Sequence, residues 1–533
     1  MDFRGGTVIK ILSISFITAS LLSTISAFEV NTHQAMTRCA TTTECKTEGS
    51  QNLVDFAKDA LLQNSDYSNE QFEGYNASYF NYASNGTGFT NWHVTISTTD
   101  YLGLIEAGSV LEDAVCTDSS FDGDGRFNNH FYSSQFNSQD GCGESKALMK
   151  TTHTLCVGFG QRTDSISWTL DDTIELGNNR KNDYSLEDAF GYFRNAFIGS
   201  EQTRKANQAK LFVSIGFMSH MMQDLHSPAH VRDNSHPFGD YLEIYGRYNG
   251  GFNLRDGKFH ANNNPLIVKA IEDFDMKKWM LQENSYSSYE DIFTHEAHWI
   301  SHNFFSASHG DTTFNDNDLD HITGEGLDYD TSTDFDSIFD DKNLHLARSE
   351  TQNSAIPNIE GNRWFYINTL GNAASEKGDI THKTVAILED GILFNSDKMI
   401  AVVDETKNPN YSDYDATPLE QTSLNVIPRA VGATQAFINY FFRAKMEASL
   451  NNDTLTLKNV SDSQWVANAN LLTFKQGATI TLLYIDNAGV SREFFSTTLA
   501  QDVKANETIM INGISSALQN ITLGAEQKNN CTS

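Results

Sequence analysis

A run of histidines and carboxylates at the end of a strongly helical segment constrains this chain more than any other feature. It reads SHMMQDLHSPAH over residues 219–230. His220 and Asp224 are four residues apart, so a helix projects both side chains from one face. Pro228 disturbs or ends the helix, which lets His230 fold back towards the same place. Nitrogen and oxygen donors that converge in this way indicate a zinc site.

The same density of donors continues beyond this run. Residues 220–243 hold four histidines and four carboxylates, namely His220, Asp224, His226, His230, Asp233, His236, Asp240 and Glu243. The whole chain of 533 residues contains 16 histidines, so the local density is high. A surface cluster of histidines at a helix end is the alternative interpretation.

Residues 1–27 have the pattern of a secretory signal peptide. A charged start precedes the mostly apolar residues 11–25, and the small residues Ser26 and Ala27 follow. The apolar run is short for a membrane span. We therefore expect cleavage after Ala27 and a secreted protein, extracellular or periplasmic, with an uncleaved anchor as the alternative.

The cysteine content agrees with export. Six cysteines follow residue 27, and an even number in an exported chain favours disulfides over catalytic thiols: Cys39, Cys45, Cys116, Cys142, Cys156 and Cys531. Cys39–Cys45 and Cys116–Cys142 are candidate local pairs, but the spacing does not fix the connectivity.

Periodicity predicts a mainly α fold for residues 28–450. Apolar side chains recur at helical spacing in five segments, which are 52–62, 186–197, 204–226, 288–306 and 427–450. Pro428 is expected in the first turn of the last of these helices. Residues 311–341 are crowded with Asp and Asn, which predicts an inserted acidic loop. A solvated loop is the favoured interpretation there, with calcium binding as the alternative.

After residue 450 the pattern changes to short β-rich runs. These runs cover residues 454–460, 471–474, 478–485, 491–498 and 507–511. Asn and Gly separate them, as in residues 486–489, which is typical of strands joined by tight turns. We expect a small β-sandwich module over residues 451–533.

Two further stretches connect the histidine-rich run to a known family. The sequence after Ala27 reads FEVNTH over residues 28–33, and Asp113 and His130 lie in the stretches GSVLED and NHFY. With HMMQDLHSPAH, these make the chain resemble the zinc-dependent phospholipase C family, to which the fungal zinc-dependent single-strand nucleases are related. The resemblance covers about residues 28–306. It implies a helical bundle around three zinc ions.

The resemblance also implies which residues hold each zinc ion. One ion would take Asp113, His130, His220 and Asp224. A second would take the amino nitrogen and carbonyl oxygen of Phe28, with His33 and Asp224, so that Asp224 bridges two ions. The third would take His230, His236 and Glu243. Asp113 and Asp224 are the residues expected to be catalytic.

The chain departs from the family pattern at two points. Phe28 stands where the family usually has Trp, although His33 follows it at the short spacing seen in the nucleases. The last acidic ligand is ambiguous. Asp240 keeps a four-residue step from His236, whereas Glu243 lies in LEIY, which is more similar to the helical context of the family. We favour Glu243 and retain Asp240 as the alternative.

A second histidine-rich stretch is not interpreted as a metal site. Residues 294–302 read THEAHWISH, in which the spacing after Glu296 is wrong for HExxH. His298 and His302 are four residues apart, but the apolar residues around them favour a packing role. His226 lies within the metal run but off its ligand face, so we expect it behind the ligands or on the surface.

By this resemblance we expect a secreted phosphoric diester hydrolase, most of all a phospholipase C that cleaves the glycerol–phosphate ester of phospholipids with a metal-activated water. A secreted single-strand nuclease is the first alternative, and a non-catalytic, metal-stabilised binding protein is the second. The formal net charge of −32 repels nucleic acid, so no stable nucleic-acid partner is expected. We expect a monomer, a phospholipid or other phosphodiester as substrate, and peripheral membrane contact as an option for the C-terminal module.

Overall fold

The computed structural model describes residues 30–45, 47, 49–61, 66–72, 75–76, 80–85, 91–113, 129–132, 164–171, 175–176, 180–228, 230–231, 254, 256–262, 264–275, 288–303, 344–348, 364–368, 383–389, 398–399, 418–451, 453–461, 466 and 468–514. Helices and small antiparallel sheets make up this part of the chain. None of its helices is both long and apolar enough to cross a membrane. Several predictions lie outside these residues: the signal peptide 1–27, the acidic loop 311–341, Phe28, His236, Asp240, Glu243, and Cys116, Cys142, Cys156 and Cys531.

The helices, in chain order, are α1 (Val30–Thr41), α2 (Gln51–Asp55), α3 (Tyr101–Leu111), α4 (Ser165–Leu170), α5 (Leu186–Asn195), α6 (Glu201–Asp224), α7 (Pro265–Asp273), α8 (Tyr289–Asn303) and α9 (Pro418–Phe441). Four of them begin at a side chain that accepts a hydrogen bond from the backbone N–H three residues later: Asp100, Asp164, Ser185 and Ser200. Such caps satisfy N–H groups that have no partner within the helix.

Four of the five predicted helices are confirmed, with shifted ends. The segment 52–62 is α2 continued by a π-helical turn, Phe56–Ala60, and the next three are α5, α6 and α8. The prediction for residues 427–450 is wrong at both ends, because α9 runs from Pro418 to Phe441 and Pro428 lies inside it. Proline lacks the N–H for a helical hydrogen bond, but burial of Val426, Ile427 and Val431 around it favours the continued helix.

Helix α6 is the centre of the helical body. Every residue from Leu211 to Asp224 is buried, so neighbouring elements cover all sides of this half of the helix. Helices α1, α3, α4, α5 and α9 pack against it. The hydroxyls of Ser214 and Ser219 donate to backbone carbonyls four residues earlier, which satisfies these polar groups inside the core.

Helices α3 and α6 cross unusually closely at two glycines. A Cβ atom on Gly108 would lie 2.2 Å from the carbonyl oxygen of Val213, and one on Gly216 would lie 2.1 Å from that of Ile105. Neither position therefore accepts a side chain without separating the helices. This crossing places the end of α3 beside the C-terminal half of α6, where His220 and Asp224 lie.

The strands form several small antiparallel sheets. In chain order they are β1 (Gln71–Phe72), β2 (Tyr75–Asn76), β3 (Phe80–Asn85), β4 (Asn91–Ile96), β5 (Glu175–Leu176), β6 (Arg180–Lys181), β7 (Leu344–Arg348), β8 (Trp364–Asn368), β9 (Lys383–Glu389), β10 (Lys398–Met399), β11 (Met446–Asn451), β12 (Thr454–Asn459), β13 (Thr479–Ile485), β14 (Ser491–Thr498) and β15 (Thr508–Asn512). Sheets of two strands pair β1 with β2, β3 with β4 and β5 with β6.

A four-stranded sheet in the order β10-β9-β8-β7 corrects the expectation that residues 28–450 are mainly helical throughout. Its strands β8 and β9 read WFYIN and KTVAILE, and aromatic and β-branched residues favour strands. The helical periodicity of other segments of this region does not extend into these strands. The helical prediction therefore holds for the body around α6 and fails for the four strands β7 to β10.

The C-terminal strands form two small sheets around one apolar core. Strands β11, β12 and β15 form one sheet and the β13–β14 hairpin forms the other, and their shared core is centred on Leu455, Leu457 and Ile514. This agrees with the predicted β module, although its first strand begins at Met446 and residues 469–472 form a 3-10 helix where a strand was predicted. Backbone hydrogen bonds between Gly199 and Ser491 join the hairpin to the helical body.

Cys39 and Cys45 form a disulfide, which confirms one of the two predicted local pairs. Their Cα atoms are 5.2 Å apart, and the bond ties the end of α1 to the turn that follows it. This cross-link stabilises the segment that carries His33 by restricting the unfolded chain.

Candidate metal centre

Six of the predicted metal ligands lie together at the C-terminal end of α6. His33 comes from α1, Asp113 follows α3, and His130 belongs to a short segment against α6. Helix α6 itself supplies His220 and Asp224, and His230 lies in the turns that follow it. All six are buried, and Asp113, at 3% exposed, is the least so. This burial excludes a surface cluster of histidines.

Asp224 is the centre of the group. Histidine nitrogens from four segments approach its carboxylate: His130 Nδ1 at 2.8 Å, His220 Nε2 at 3.2 Å and His230 Nδ1 at 3.5 Å from Oδ2, and His33 Nε2 at 3.3 Å from Oδ1. Despite these distances, neither oxygen accepts a well-aligned hydrogen bond from the described residues. A carboxylate whose two oxygens face several histidine nitrogens without aligned hydrogen bonds is arranged as a ligand of a cation is.

Asp113 faces the same histidines from the other side. Its Oδ1 lies 3.5 Å from His220 Nε2 and 3.6 Å from His130 Nδ1, and its Oδ2 lies 3.8 Å from His33 Nε2. Two triplets have ligand atoms within 4.8 Å of one another, namely His33, Asp113 and His220, and His130, His220 and Asp224. These buried His and Asp groups could hold a metal ion.

Hydrogen bonds behind the histidines fix the direction in which the rings point. His220 Nδ1 donates to the carbonyl oxygen of Ser109 at 2.7 Å, which leaves Nε2 facing the carboxylates. His33 Nδ1 contacts Gln223 Oε1 at 2.8 Å, and the Gln223 amide in turn donates to the Thr37 hydroxyl. The rings of His33 and His220 are stacked with centroids 3.7 Å apart. Such outer partners are typical of metal-ligating histidines.

His230 is oriented separately from the other ligands. Its Nδ1 lies 2.9 Å from the carbonyl oxygen of His130, and its ring stacks on Phe131 with centroids 4.4 Å apart. The backbone N–H of Tyr132 donates to the His230 carbonyl oxygen at 2.8 Å. The segment around His130 therefore positions His230 as well. Of the ligands predicted for the third ion, His230 is the one that the described part of the chain contains.

The charges in the group shift one another's pKa values in opposite directions. Burial alone would lower the pKa of His130, but the carboxylates of Asp224 and Glu112 outweigh it and raise the pKa to about 10. Burial would raise the pKa of Asp224, but the surrounding histidines, led by His220, lower it well below its usual range. Burial and the neighbouring His220 lower the pKa of His33. The site therefore stabilises a carboxylate at its centre.

The stretch around Glu296 has the packing role that its sequence suggested. Glu296 is buried on α8, where Arg429 Nε donates to its Oε2 at 2.7 Å. The Arg429 guanidinium also lies 3.8 Å from the centre of the Trp299 ring. His226 Nε2 lies 3.0 Å from Glu296 Oε2, so His226 is buried behind the ligands, and the surface alternative is wrong.

Sequence reasoning missed the outer partners of the ligands. Glu112 directly precedes Asp113, and Gln223 directly precedes Asp224, but adjacency to a ligand predicts no particular contact. Ser109 contributes through its backbone carbonyl, which carries no sequence signal at all. Comparison with protein-family models, with curated proteins and with solved structures finds no match to this chain. The interpretation of the site rests on its own geometry and on the motif order in the sequence.

Proposed function

We propose that this chain is a secreted, zinc-dependent phosphoric diester hydrolase, and specifically a phospholipase C. The observation that carries the proposal is the convergence of six buried donor side chains from five separate segments around Asp224. The order of these residues along the chain is the order in which the zinc-dependent phospholipase C family has its ligands.

The donor set fits zinc. Imidazole nitrogens and carboxylate oxygens are the ligands that zinc accepts in catalytic sites. The two oxygens of Asp224 face different histidines, Oδ1 towards His33 and Oδ2 towards His130 and His220. A carboxylate in this position suits a bridge between two cations, which is the role that the family resemblance gives to Asp224.

Zinc bound here would act as a Lewis acid for a phosphoryl oxygen and would acidify a water molecule. Asp113 and Asp224 would supply the negative charge that holds the zinc ions, and they would be the carboxylates available to accept a proton from a water molecule there. His33 and His220, whose rings are stacked and hydrogen-bonded from behind, and the buried ring of His130 would keep this geometry rigid. Burial of all these groups excludes bulk water and strengthens the electrostatic interactions.

The role that the resemblance gives to Phe28 ties activity to export. A free amino group at Phe28 exists only after the signal peptide has been removed. We expect a protein with one extra residue before Phe28 to bind less zinc and to hydrolyse substrate more slowly than the protein that begins at Phe28. Equal zinc content and equal rate in the two forms would remove Phe28 from the ligand set.

Phospholipid is preferred over nucleic acid as the substrate because of charge. The net charge of −32 opposes long-range attraction of a polyanion. The short spacing from Phe28 to His33 in the sequence is the observation that favours the single-strand nuclease as a second candidate.

The test is an assay of the protein that begins at Phe28 on a choline phosphodiester and on single-stranded DNA, with and without a chelator. His220→Ala is expected to abolish chelator-sensitive turnover. His298→Ala is the matched control. It removes a buried histidine of α8 that contacts Tyr132, and it should retain chelator-sensitive turnover.

Hydrolysis of the choline ester alone supports the phospholipase, and hydrolysis of DNA alone supports the nuclease. Zinc binding without turnover of either substrate supports the non-catalytic binding protein. Turnover that survives the chelator and His220→Ala contradicts a metal-dependent mechanism at this site.

A further inference from the structure

We infer that Glu112 is a positioning residue of the metal centre and acts by holding the ring of His130. The inference rests on the proposed zinc binding and adds to it a carboxylate that the family resemblance does not assign. Glu112 is the residue immediately after α3, and its side chain is buried beside the cluster.

The two ring nitrogens of His130 face different carboxylates. Nδ1 points into the cluster, 2.8 Å from Asp224 Oδ2 and 3.6 Å from Asp113 Oδ1. Nε2, at the other edge of the ring, lies 3.5 Å from Glu112 Oε1, a charge contact without an aligned hydrogen bond. The adjacent residues Glu112 and Asp113 therefore approach opposite sides of one imidazole ring.

Trp168 fixes the Glu112 carboxylate in turn. The indole Nε1 of Trp168, on α4, donates to Glu112 Oε1 at 2.7 Å, and the Trp168 side chain is fully buried. Because the indole is large and enclosed, it gives the carboxylate one position. A continuous line then runs from Trp168 through Glu112 and His130 to Asp224.

The partner of His130 differs in charge from those of the other two rings. His220 donates to the carbonyl oxygen of Ser109, and His33 contacts the neutral amide of Gln223. The outer contact of His130, by comparison, is to the carboxylate of Glu112. A carboxylate behind a ligating histidine fixes its tautomer and raises its basicity more than a neutral partner does. Glu112 would therefore make His130 a more basic ligand than a neutral outer partner would.

A purely structural role explains Glu112 poorly. An amide oxygen would accept the Trp168 N–H equally well, and burying a carboxylate costs more free energy than burying an amide. Oε1 accepts from Trp168 and also lies 3.5 Å from His130 Nε2, so a negative charge there acts on the His130 ring.

The test replaces Glu112 by the isosteric amide in the full chain. In Glu112→Gln we expect zinc to bind about 10- to 100-fold more weakly, the usual effect of removing an outer partner. Competition against a chromogenic chelator measures the affinity. Glu106→Gln is the matched control. Glu106 is a buried acid on α3, the helix that ends just before Glu112, and it pairs with Arg38. This variant should bind zinc with unchanged affinity.

A double-mutant cycle separates positioning from a general loss of structure. If Glu112 acts through His130, Glu112→Gln weakens zinc binding no further once His130→Ala is present. Additive losses would overturn the inference. Unchanged affinity in Glu112→Gln alone, with wild-type protein that binds zinc, would also overturn it. Wild-type protein that binds no zinc would instead contradict the proposed function.

Trp168→Phe provides a second route if Glu112→Gln fails to fold, as judged by circular dichroism with chelator present. This variant keeps the aromatic ring and the Glu112 carboxylate but removes the N–H that orients the carboxylate. Zinc should bind more weakly to it than to wild-type protein, and equal affinity would count against the inference.

Discussion

Two clusters of buried polar side chains contain residues of the same short segment, Asp224 in one and His226 in the other. They differ in how their charges are paired. The first is the group around Asp224, and the second joins His226 to Glu296 and Arg429. In the second, an arginine and a carboxylate neutralise each other through hydrogen bonds at 2.7 and 3.3 Å. In the first, the close contacts of Asp224 are histidine nitrogens that could equally serve as ligands.

The difference shows how to recognise a binding site among buried charges. A closed network whose donors and acceptors match, such as Glu296 with Arg429, braces the fold and needs nothing more. A group of buried ligand atoms that converge without aligned hydrogen bonds, such as that around Asp224, could hold a cation. His226, two residues after Asp224, connects the brace to the site and so holds the end of α6 in place.

The largest effect is expected from removing the central carboxylate. Asp224→Asn should lose zinc and lower kcat/KM by about a thousandfold, the upper end of the cost of losing one electrostatic stabiliser. Metal content and turnover are the measurements. Glu296→Gln, an equally buried acid in the closed network, should retain its zinc in the folded protein. Loss of zinc in both variants alike would end the distinction between the two clusters.

The free energy of unfolding, unlike zinc binding, should depend more on Glu296 than on Asp224. Glu296→Gln leaves the Arg429 charge buried without its partner, which should lower the free energy of unfolding by about 3–5 kcal/mol. Urea unfolding with chelator present measures this without a contribution from metal. Asp502→Asn, at an exposed pair with Lys475, is the control and should leave the unfolding midpoint unchanged. A midpoint for Glu296→Gln equal to that of wild type would contradict the bracing role.

Acid should close the stability gap between wild type and Glu296→Gln. Burial raises the pKa of Glu296, but Arg429 and His226 outweigh it and hold the pKa well below its usual value. Stability from a lowered carboxyl pKa is fully present above the unfolded pKa, about 4.3, and is lost as the pH falls towards the folded pKa. Thermal melts in chelator from pH 7 downwards should therefore begin to converge below about pH 4 and approach each other further as the pH falls. A gap that stays constant over this range would show that the charge of Glu296 is not its source.

A smaller effect is expected behind His33, where the outer partner is neutral. Gln223→Leu removes the contact with His33 Nδ1 and should weaken zinc binding by about tenfold, the low end for an outer partner. Thr37→Val, which removes only the hydroxyl that accepts from Gln223, should have less effect still. Chelator competition gives both affinities. A larger loss in Thr37→Val than in Gln223→Leu would mean that Gln223 is not what orients His33.

The sequence predicted what depends on neighbours along the chain. The four-residue step from His220 to Asp224 placed both on one face of α6, and the strand at residues 491–498 was predicted with its observed bounds. The local disulfide between Cys39 and Cys45 was also among the predicted pairs. Each of these follows from a helical or strand period, or from short separation, which are properties that a few adjacent residues determine.

Other features depended on which elements pack together. The course of α9 through Pro428 reflects burial of its neighbours Val426, Ile427 and Val431 rather than local preference. Glu296 and Arg429 are 133 residues apart, and neither carries a sign of the other in the sequence. The family resemblance placed His33, Asp113 and His130 in the site by motif order, without their distances.

The close crossing at Gly108 and Gly216 is what lets the end of α3 reach the ligands on α6. It also places Glu112 and Asp113 on opposite sides of His130. The sequence determined which donors are present and how they are spaced along one helix. Only the tertiary structure decided which of them face each other, because convergence depends on the distance and angle between elements that are far apart in the chain.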